Sequence, residues 1–178
     1  MNSYKDNFSI YYFGNKVSDI IKKKLLKFKK RNIIYINHKN ILDILELKKV
    51  CKKNKIKLYV SDNIHLAKKL NIYGIHISAD YRKKIYVNQQ KFELIGTVHT
   101  QKEFYFKRQQ GCTAAFLSPI FNTKKYSENL VLNIHKFNLQ SKNWNCPVYA
   151  LAGINVKNLN KLNMTKVKGF GGISFFRE

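Results

Sequence analysis

Proline, acidic side chains, cysteine and long apolar runs are all scarce in this chain, and each scarcity removes a class of protein. Two prolines in 178 residues leave no material for a proline-rich linker, and no low-complexity block or sequence repeat divides the chain. The three cysteines, Cys51, Cys112 and Cys146, are odd in number and have no C-x-x-C spacing, and the five histidines form no cluster at zinc-ligand intervals. They read as buried or half-buried thiols of a reducing compartment. The segment Met1–Lys16 has no apolar run behind a basic start, and nowhere do about 18 apolar residues follow one another. The chain therefore reads as soluble, unprocessed and cytoplasmic, with no membrane partner.

What is abundant is lysine. Lys and Arg total 34 against 10 acidic residues, a formal charge of +24, which attracts polyanions at low salt. The lysines are spread from end to end among equally frequent Asn and Ile, as A/T-biased coding produces, while Arg is scarce. No zinc finger or RNP-like strand accompanies them. Nucleic-acid binding is therefore not expected as the main role.

At 44% apolar residues the chain can bury one core, and its length suits a single domain, Met1–Glu178. Eight short runs, near-continuously apolar, read as parallel strands buried on both faces: 9–13, 33–36, 56–60, 74–77, 94–98, 114–117, 148–152 and 169–175. Between them 17–30, 41–53, 62–70, 101–110, 130–141 and 156–162 carry apolar residues at helical spacing. Asp62 and Thr100 stand where N-caps belong, and Gly111 where the helix after strand five should stop. The stretch 81–91 is a weak candidate for the fourth helix. Strand and helix alternating eight times predicts a compact α/β (β/α)8 TIM barrel. With the last strand so close to Glu178, the eighth helix is expected to be missing, its flank covered by 83–91 or by a second subunit in a homodimer.

Barrels of this type place reactive groups at the C-terminal ends of their strands. Gly153 after strand seven and Gly171-Gly172 at strand eight can let backbone amides approach a phosphate, or simply relieve crowding. His99 follows strand five between Thr97 and Thr100, where an imidazole can move a proton near neutral pH. His76 alternates into a strand and is expected to be packed rather than catalytic. Lys39, Lys124 and Lys125 lie on loops able to face a phosphate, and Asp62 can either bind Mg2+ or cap the third helix.

These junctions, in this order, resemble the thiamine phosphate synthase/TenI family from about Ile10 to Phe176. Leu-Tyr-Val-Ser-Asp at 58–62 with Gly-Ile-His-Ile at 74–77, Gly-Thr-Val-His-Thr at 96–100 and Ser-Pro-Ile-Phe-Asn-Thr at 118–123 carry the likeness. Ala-Gly-Ile at 152–154 and Gly-Phe-Gly-Gly-Ile-Ser at 169–174 complete it. The resemblance implies thiamin biosynthesis: a transferase joining hydroxymethylpyrimidine diphosphate to thiazole phosphate, with loss of Mg2+-bound pyrophosphate. It implies Asp62 on Mg2+, Lys39, Asn37, Thr123 and Lys125 toward substrate phosphates, and Gly153, Gly172, Ile173 and Ser174 on thiazole phosphate. His99, with Thr97 beside it, falls where TenI-like thiazole tautomerases keep an acid/base histidine, and that reaction, needing no cofactor, is the alternative.

The chain departs from the synthase pattern on strand two, where the family's Gln-x-Arg-x-Lys reads Tyr35-Ile-Asn37-His-Lys39. Asn37 cannot replace a bidentate arginine on a phosphate. The second metal carboxylate is displaced, Asp80 being nearest, and the serine of strand five is Thr97. A non-catalytic barrel that binds a phosphorylated ligand is the third reading.

Overall fold

The computed structural model describes residues 8–36, 41–87, 90–123 and 130–177. Eight parallel strands close into one barrel in sequence order: β1 Ser9–Phe13, β2 Lys30–Tyr35, β3 Lys57–Ser61, β4 Gly74–Ile77, β5 Glu93–Val98, β6 Ala114–Leu117, β7 Val148–Leu151 and β8 Gly169–Gly172. Each pairs with the next, and β8 returns to β1 with Ser9 opposite Gly169. That closure needs a glycine, since a Cβ at 169 would sit 1.8 Å from the Ser9 carbonyl oxygen.

The lumen is filled by alternate residues of the strands. Tyr11 and Phe13 of β1, Tyr59 of β3, Phe116 of β6 and Tyr149 of β7 touch one another across it, which side chains of non-adjacent strands can do only inside a closed sheet. Phe116 is the hub: its ring centroid lies 5.0 Å from that of Tyr11 and 5.4 Å from those of Phe13 and Tyr149. The opposite residues of the same strands, such as Ile10, Ile33, Leu58, Leu94 and Val148, pack outward against the helices. Burial on both faces explains why the strands lack polar alternation.

Five helices alternate with the strands: α1 Asp19–Leu26, α2 Ile41–Lys53, α3 Ile64–Lys69, α4 Gln101–Gln109 and α5 Asn133–Ser141. Before β8 the expected helix is a 3-10 helix, Leu159–Met164, not an α-helix at 156–162. Between β4 and β5 the described residues form no helix. Instead α4 fastens this crossover from beneath: Lys107 donates from Nζ to the Tyr81 carbonyl at 2.8 Å, and Gln110 donates from Nε2 to Tyr81 and Lys83 carbonyls at 3.2 and 2.7 Å. The Lys107 stem fits because a Cβ on Gly96 would lie 2.9 Å from its Cγ. Burial lowers the Lys107 pKa.

The eighth position is not empty. A one-turn helix, α6 Ser174–Arg177, follows β8. Its Phe175 and Phe176 are buried against Phe28, Phe170 and Tyr12, and Lys24 of α1 donates to the Phe175 carbonyl at 2.9 Å. Two phenylalanines on one turn cover the flank, so neither residues 83–91 nor a second subunit is required there, and the reason given above for a homodimer falls away. Continuing the apolar run 169–175 as strand missed this turn, because a short apolar run has no period that separates strand from helix. No described helix is long and apolar enough to cross a membrane.

Candidate functional site at the C-terminal end of the barrel

Parallel closure carries the ends of all eight strands to one rim, so Asp62, Thr97, His99, Thr123, Gly153 and Gly172–Ser174 gather there from β3, β5, β6, β7 and β8. Asn37, Lys39, Lys124 and Lys125 lie outside the described residues.

Asp62 does not cap α3. Asn63 does, its side chain accepting from the Leu66 amide at 2.9 Å. Asp62 sits one residue earlier with φ of 56°, its amide donating to the His76 carbonyl at 2.8 Å. Its carboxylate accepts from the Ser78 amide at 2.8 Å and faces the Ser61 hydroxyl at 3.3 Å. The residue is half-buried at the rim, oriented by groups on two strands.

Below it runs a polar line. Ser61 Oγ lies 2.8 Å from His76 Nδ1, and His76 Nε2 lies 2.7 Å from Thr97 Oγ1. The β3–β4 register sets Ser61 beside His76, and alternation turns both inward. His76 is 4% exposed, edge-on to Phe13 and Phe116. Burial pushes its pKa down to about 4, partly offset by the charge of Asp62. A neutral ring between two hydroxyls ties the Asp62 carboxylate to Thr97. His76 is thus packed, as expected, but packed into a polar line that the sequence did not display.

His99 is held by three groups. Its ring Nδ1 is 2.8 Å from the Ser118 carbonyl, its amide donates to Glu103 Oε2 at 2.6 Å, and its carbonyl accepts from Gln140 Nε2 at 2.9 Å. Thr100 caps α4, accepting from the Glu103 amide at 3.2 Å. A carbonyl only accepts, so Nδ1 is the donor in this hydrogen bond. Glu103 stands where the Thr100 to Glu103 spacing suits a capping box and Ser118 belongs to the strand-six motif, but Gln140 was not foreseen, since only the fold brings α5 beside strand five.

The glycines divide into two kinds. Gly153 has φ of +74°, and a Cβ on it would lie 2.3 Å from the Phe121 carbonyl oxygen, so it lets Phe121 and Asn122, after β6, lie against the end of β7. Gly171 is also a packing residue, facing Phe13, Phe116 and Leu151. Gly172 differs: the atom nearest to its Cβ position is Phe175 Cβ at 4.0 Å, and Ile173 and Ser174 beside it are exposed. Only there is the backbone of strand eight open to a ligand.

As for Mg2+, no group of three or more His, Cys, Asp or Glu side chains suited to a metal occurs among the described residues. Asp80 is exposed. A single oriented carboxylate fits Mg2+ carried in by a substrate phosphate, and does not fit an all-protein cage.

Residues 22–176 match the family described as thiamine monophosphate synthase. Thiamine-phosphate synthases of Prochlorococcus marinus, Clostridium acetobutylicum and Flavobacterium johnsoniae are 28%, 29% and 31% identical over 72%, 73% and 70% of this chain. The chain spans 38%, 63% and 63% of those relatives' lengths. A thiamine phosphate pyrophosphorylase from Pyrococcus furiosus shares the fold over 97% of this chain and 88% of its own, with a TM-score of 0.74 at 17% identity. An HpcH/HpaI aldolase from Desulfitobacterium hafniense does so over 96% and 87%, with a TM-score of 0.64 at 11% identity, so the barrel alone does not choose a chemistry. The ordered rim motifs and the match over most of the length do choose a family: this chain belongs to the thiamine monophosphate synthase family.

Proposed function

We propose that this protein, as one barrel domain over Met1–Glu178, is a cytoplasmic enzyme of thiamin biosynthesis that couples hydroxymethylpyrimidine diphosphate to thiazole phosphate and releases pyrophosphate. The observation that carries this reading is the ordered rim, with an oriented carboxylate on β3 and an open backbone at Gly172 on β8. In it Gly172, Ile173 and Ser174 receive the phosphate of the thiazole, and Gly153 draws Thr123 toward the same end. Asp62 would help to hold Mg2+, which would supply charge neutralisation for the leaving group. Lys39, Asn37 and Lys125 contact the remaining phosphate oxygens. Thr97, tied to His76, presents its oxygen from a fixed position and keeps water from occupying it.

One observation favours a second reaction. His99, its ring oriented by the hydrogen bond between Nδ1 and the Ser118 carbonyl, stands at the rim where a thiazole tautomerase would use an acid/base histidine. Incubating purified protein with the thiazole phosphate isomers, with and without the pyrimidine diphosphate and Mg2+, separates the two. Thiamin phosphate lost in Asp62→Ala supports the synthase; isomerisation lost in His99→Ala supports the tautomerase. Neither product sinks both and leaves a barrel that binds a phosphorylated ligand.

A further inference from the structure

Ser61, His76 and Thr97 are buried polar side chains, and the hydrogens they carry can be placed one by one along the line beneath Asp62. At neutral pH the ring has one N–H, since burial pushes its pKa down to about 4, and each hydroxyl has one O–H. The gaps to be filled are Asp62 Oδ2 to Ser61 Oγ at 3.3 Å, Ser61 Oγ to His76 Nδ1 at 2.8 Å, and His76 Nε2 to Thr97 Oγ1 at 2.7 Å. One order fills them all: Ser61 donates to the carboxylate, Nδ1–H donates to Ser61, and Thr97 donates to Nε2. The carboxylate favours this order a second time. It sits at the Nδ1 end of the ring, where it attracts the positive N–H end of the imidazole dipole.

The reverse order is also open to the same atoms. When Ser61 donates to Nδ1, the ring hydrogen stands on Nε2 and donates to Thr97, whose own hydrogen then points away from the line. The carboxylate loses a donor and Thr97 gains a hydrogen to offer. Passing from one order to the other, the ring gives a proton to water at Nδ1 and takes one at Nε2. Its charge is unchanged, and the hydroxyls only rotate.

We infer that His76 is a positioning residue whose tautomer couples the two ends of this line. While Asp62 accepts from Ser61, the ring proton stands on Nδ1. Once the carboxylate is taken up by a divalent cation, which repels a hydrogen pointed at it, the proton stands on Nε2 and Thr97 turns its hydrogen toward an anionic oxygen of the substrate. Linkage makes the coupling reciprocal: an anion that takes the Thr97 hydrogen strengthens cation binding at Asp62 by the same factor. The inference rests on the reading that substrate and metal meet at the C-terminal rim.

Asp62→Asn tests the line without any ligand. The residue has φ of 56°, a conformation that asparagine adopts readily, so the fold is kept. The new side-chain oxygen keeps the bond from the Ser78 amide, which turns the NH2 group toward Ser61 Oγ and makes Ser61 donate to Nδ1. The readout is the ring 15N spectrum of the histidine-labelled full chain at about pH 7, in which a nitrogen bearing hydrogen and a bare one resonate far apart. The His76 signals are assigned from contacts with the Phe13 and Phe116 rings. Nδ1–H is expected in the free protein, and Nε2–H both in Asp62→Asn and in the protein saturated with Mg2+ and inorganic pyrophosphate. A ring that only fills space keeps one tautomer throughout. The inference is overturned by Nε2–H in the free protein, or by Nδ1–H either in the variant or in loaded protein whose Ser78 amide has shifted. A Ser78 amide unmoved by Mg2+ and pyrophosphate would show instead that the rim reading itself fails, and the coupling falls with it.

Discussion

The two ends of this barrel are both polar, yet they are polar in opposite ways. At the C-terminal end the titratable groups among the described residues are each oriented by named partners: Asp62 by Ser78, His99 by Ser118, Glu103 and Gln140, and His76 between Ser61 and Thr97. At the N-terminal end lysines and Arg31 gather at the entries of β2 and β3, and Tyr59 donates to Glu93. Between them stands an aromatic partition centred on Phe116, which touches Tyr11 and Tyr149 on one side and Phe13 and His76 on the other. Orientation of single groups is what chemistry at a reacting atom requires.

The partition is the first place to break this contrast. Phe116→Ala removes a fully buried ring from the centre of the lumen and should cost about 3–5 kcal/mol in denaturant unfolding, because neighbours from four strands cannot all collapse inward. A loss under about 1 kcal/mol would mean that the two ends are not separated by a close-packed layer.

The next effect is a pH dependence. His76 has a folded pKa of about 4 against an ordinary 6.5, so between those values the unfolded chain takes up a proton that the folded barrel refuses. Its contribution to stability is complete above about pH 6.5 and falls as the pH drops toward 4, by up to roughly 3 kcal/mol. His76→Phe should flatten that slope while lowering stability at neutral pH, since it takes the imidazole from the buried Thr97 hydroxyl and leaves Ser61 only its contact with Asp62. An unchanged slope would show that the neutral ring is not what links Asp62 to Thr97.

Smaller effects sharpen the comparison. Thr100→Ala should cost about 1 kcal/mol by removing the cap that starts α4 behind His99. Lys107→Met should change stability by less than about 1 kcal/mol, since it exchanges a buried amine for an apolar chain of similar length while Gln110 still donates to Tyr81. A large loss there would mean that the charge itself holds the crossover.

Much of the frame was legible in the sequence. Strands 74–77 and 114–117 agree with β4 and β6 to the residue, because short β-branched or aromatic runs flanked by Gly, Ser or Thr have nowhere else to stop. Misses occurred where two local choices are nearly equal. Asp62 and Asn63 can both cap a helix, and Asn63 wins because the Asp62 carboxylate is engaged by Ser78, sixteen residues on. The turn at 174–177 looked like strand for want of a period. The thiols, expected to be buried or half-buried, are so: Cys51 and Cys112 are buried and Cys146 is half-buried, and burial pushes Cys51 and Cys112 up to about 12.

Of the site, the rim residues could be named from the chain but their connections could not. Ser61, His76 and Thr97 come from three strands, and only the register puts one hydroxyl on each side of the imidazole. The N-terminal mouth was hidden entirely, since its lysines look like all the others until closure brings the entries of β2 and β3 beside Glu93 and Tyr149.

The central claim is that the C-terminal rim receives the substrate, and a titration with thiazole phosphate followed by backbone amide and tyrosine resonances addresses it directly. Saturable shifts at the Gly153, Gly172 and Ser174 amides, with Tyr11 and Tyr149 unmoved, are the predicted result. Shifts confined to the tyrosines, or spread evenly over the lysine-rich surface, would contradict it.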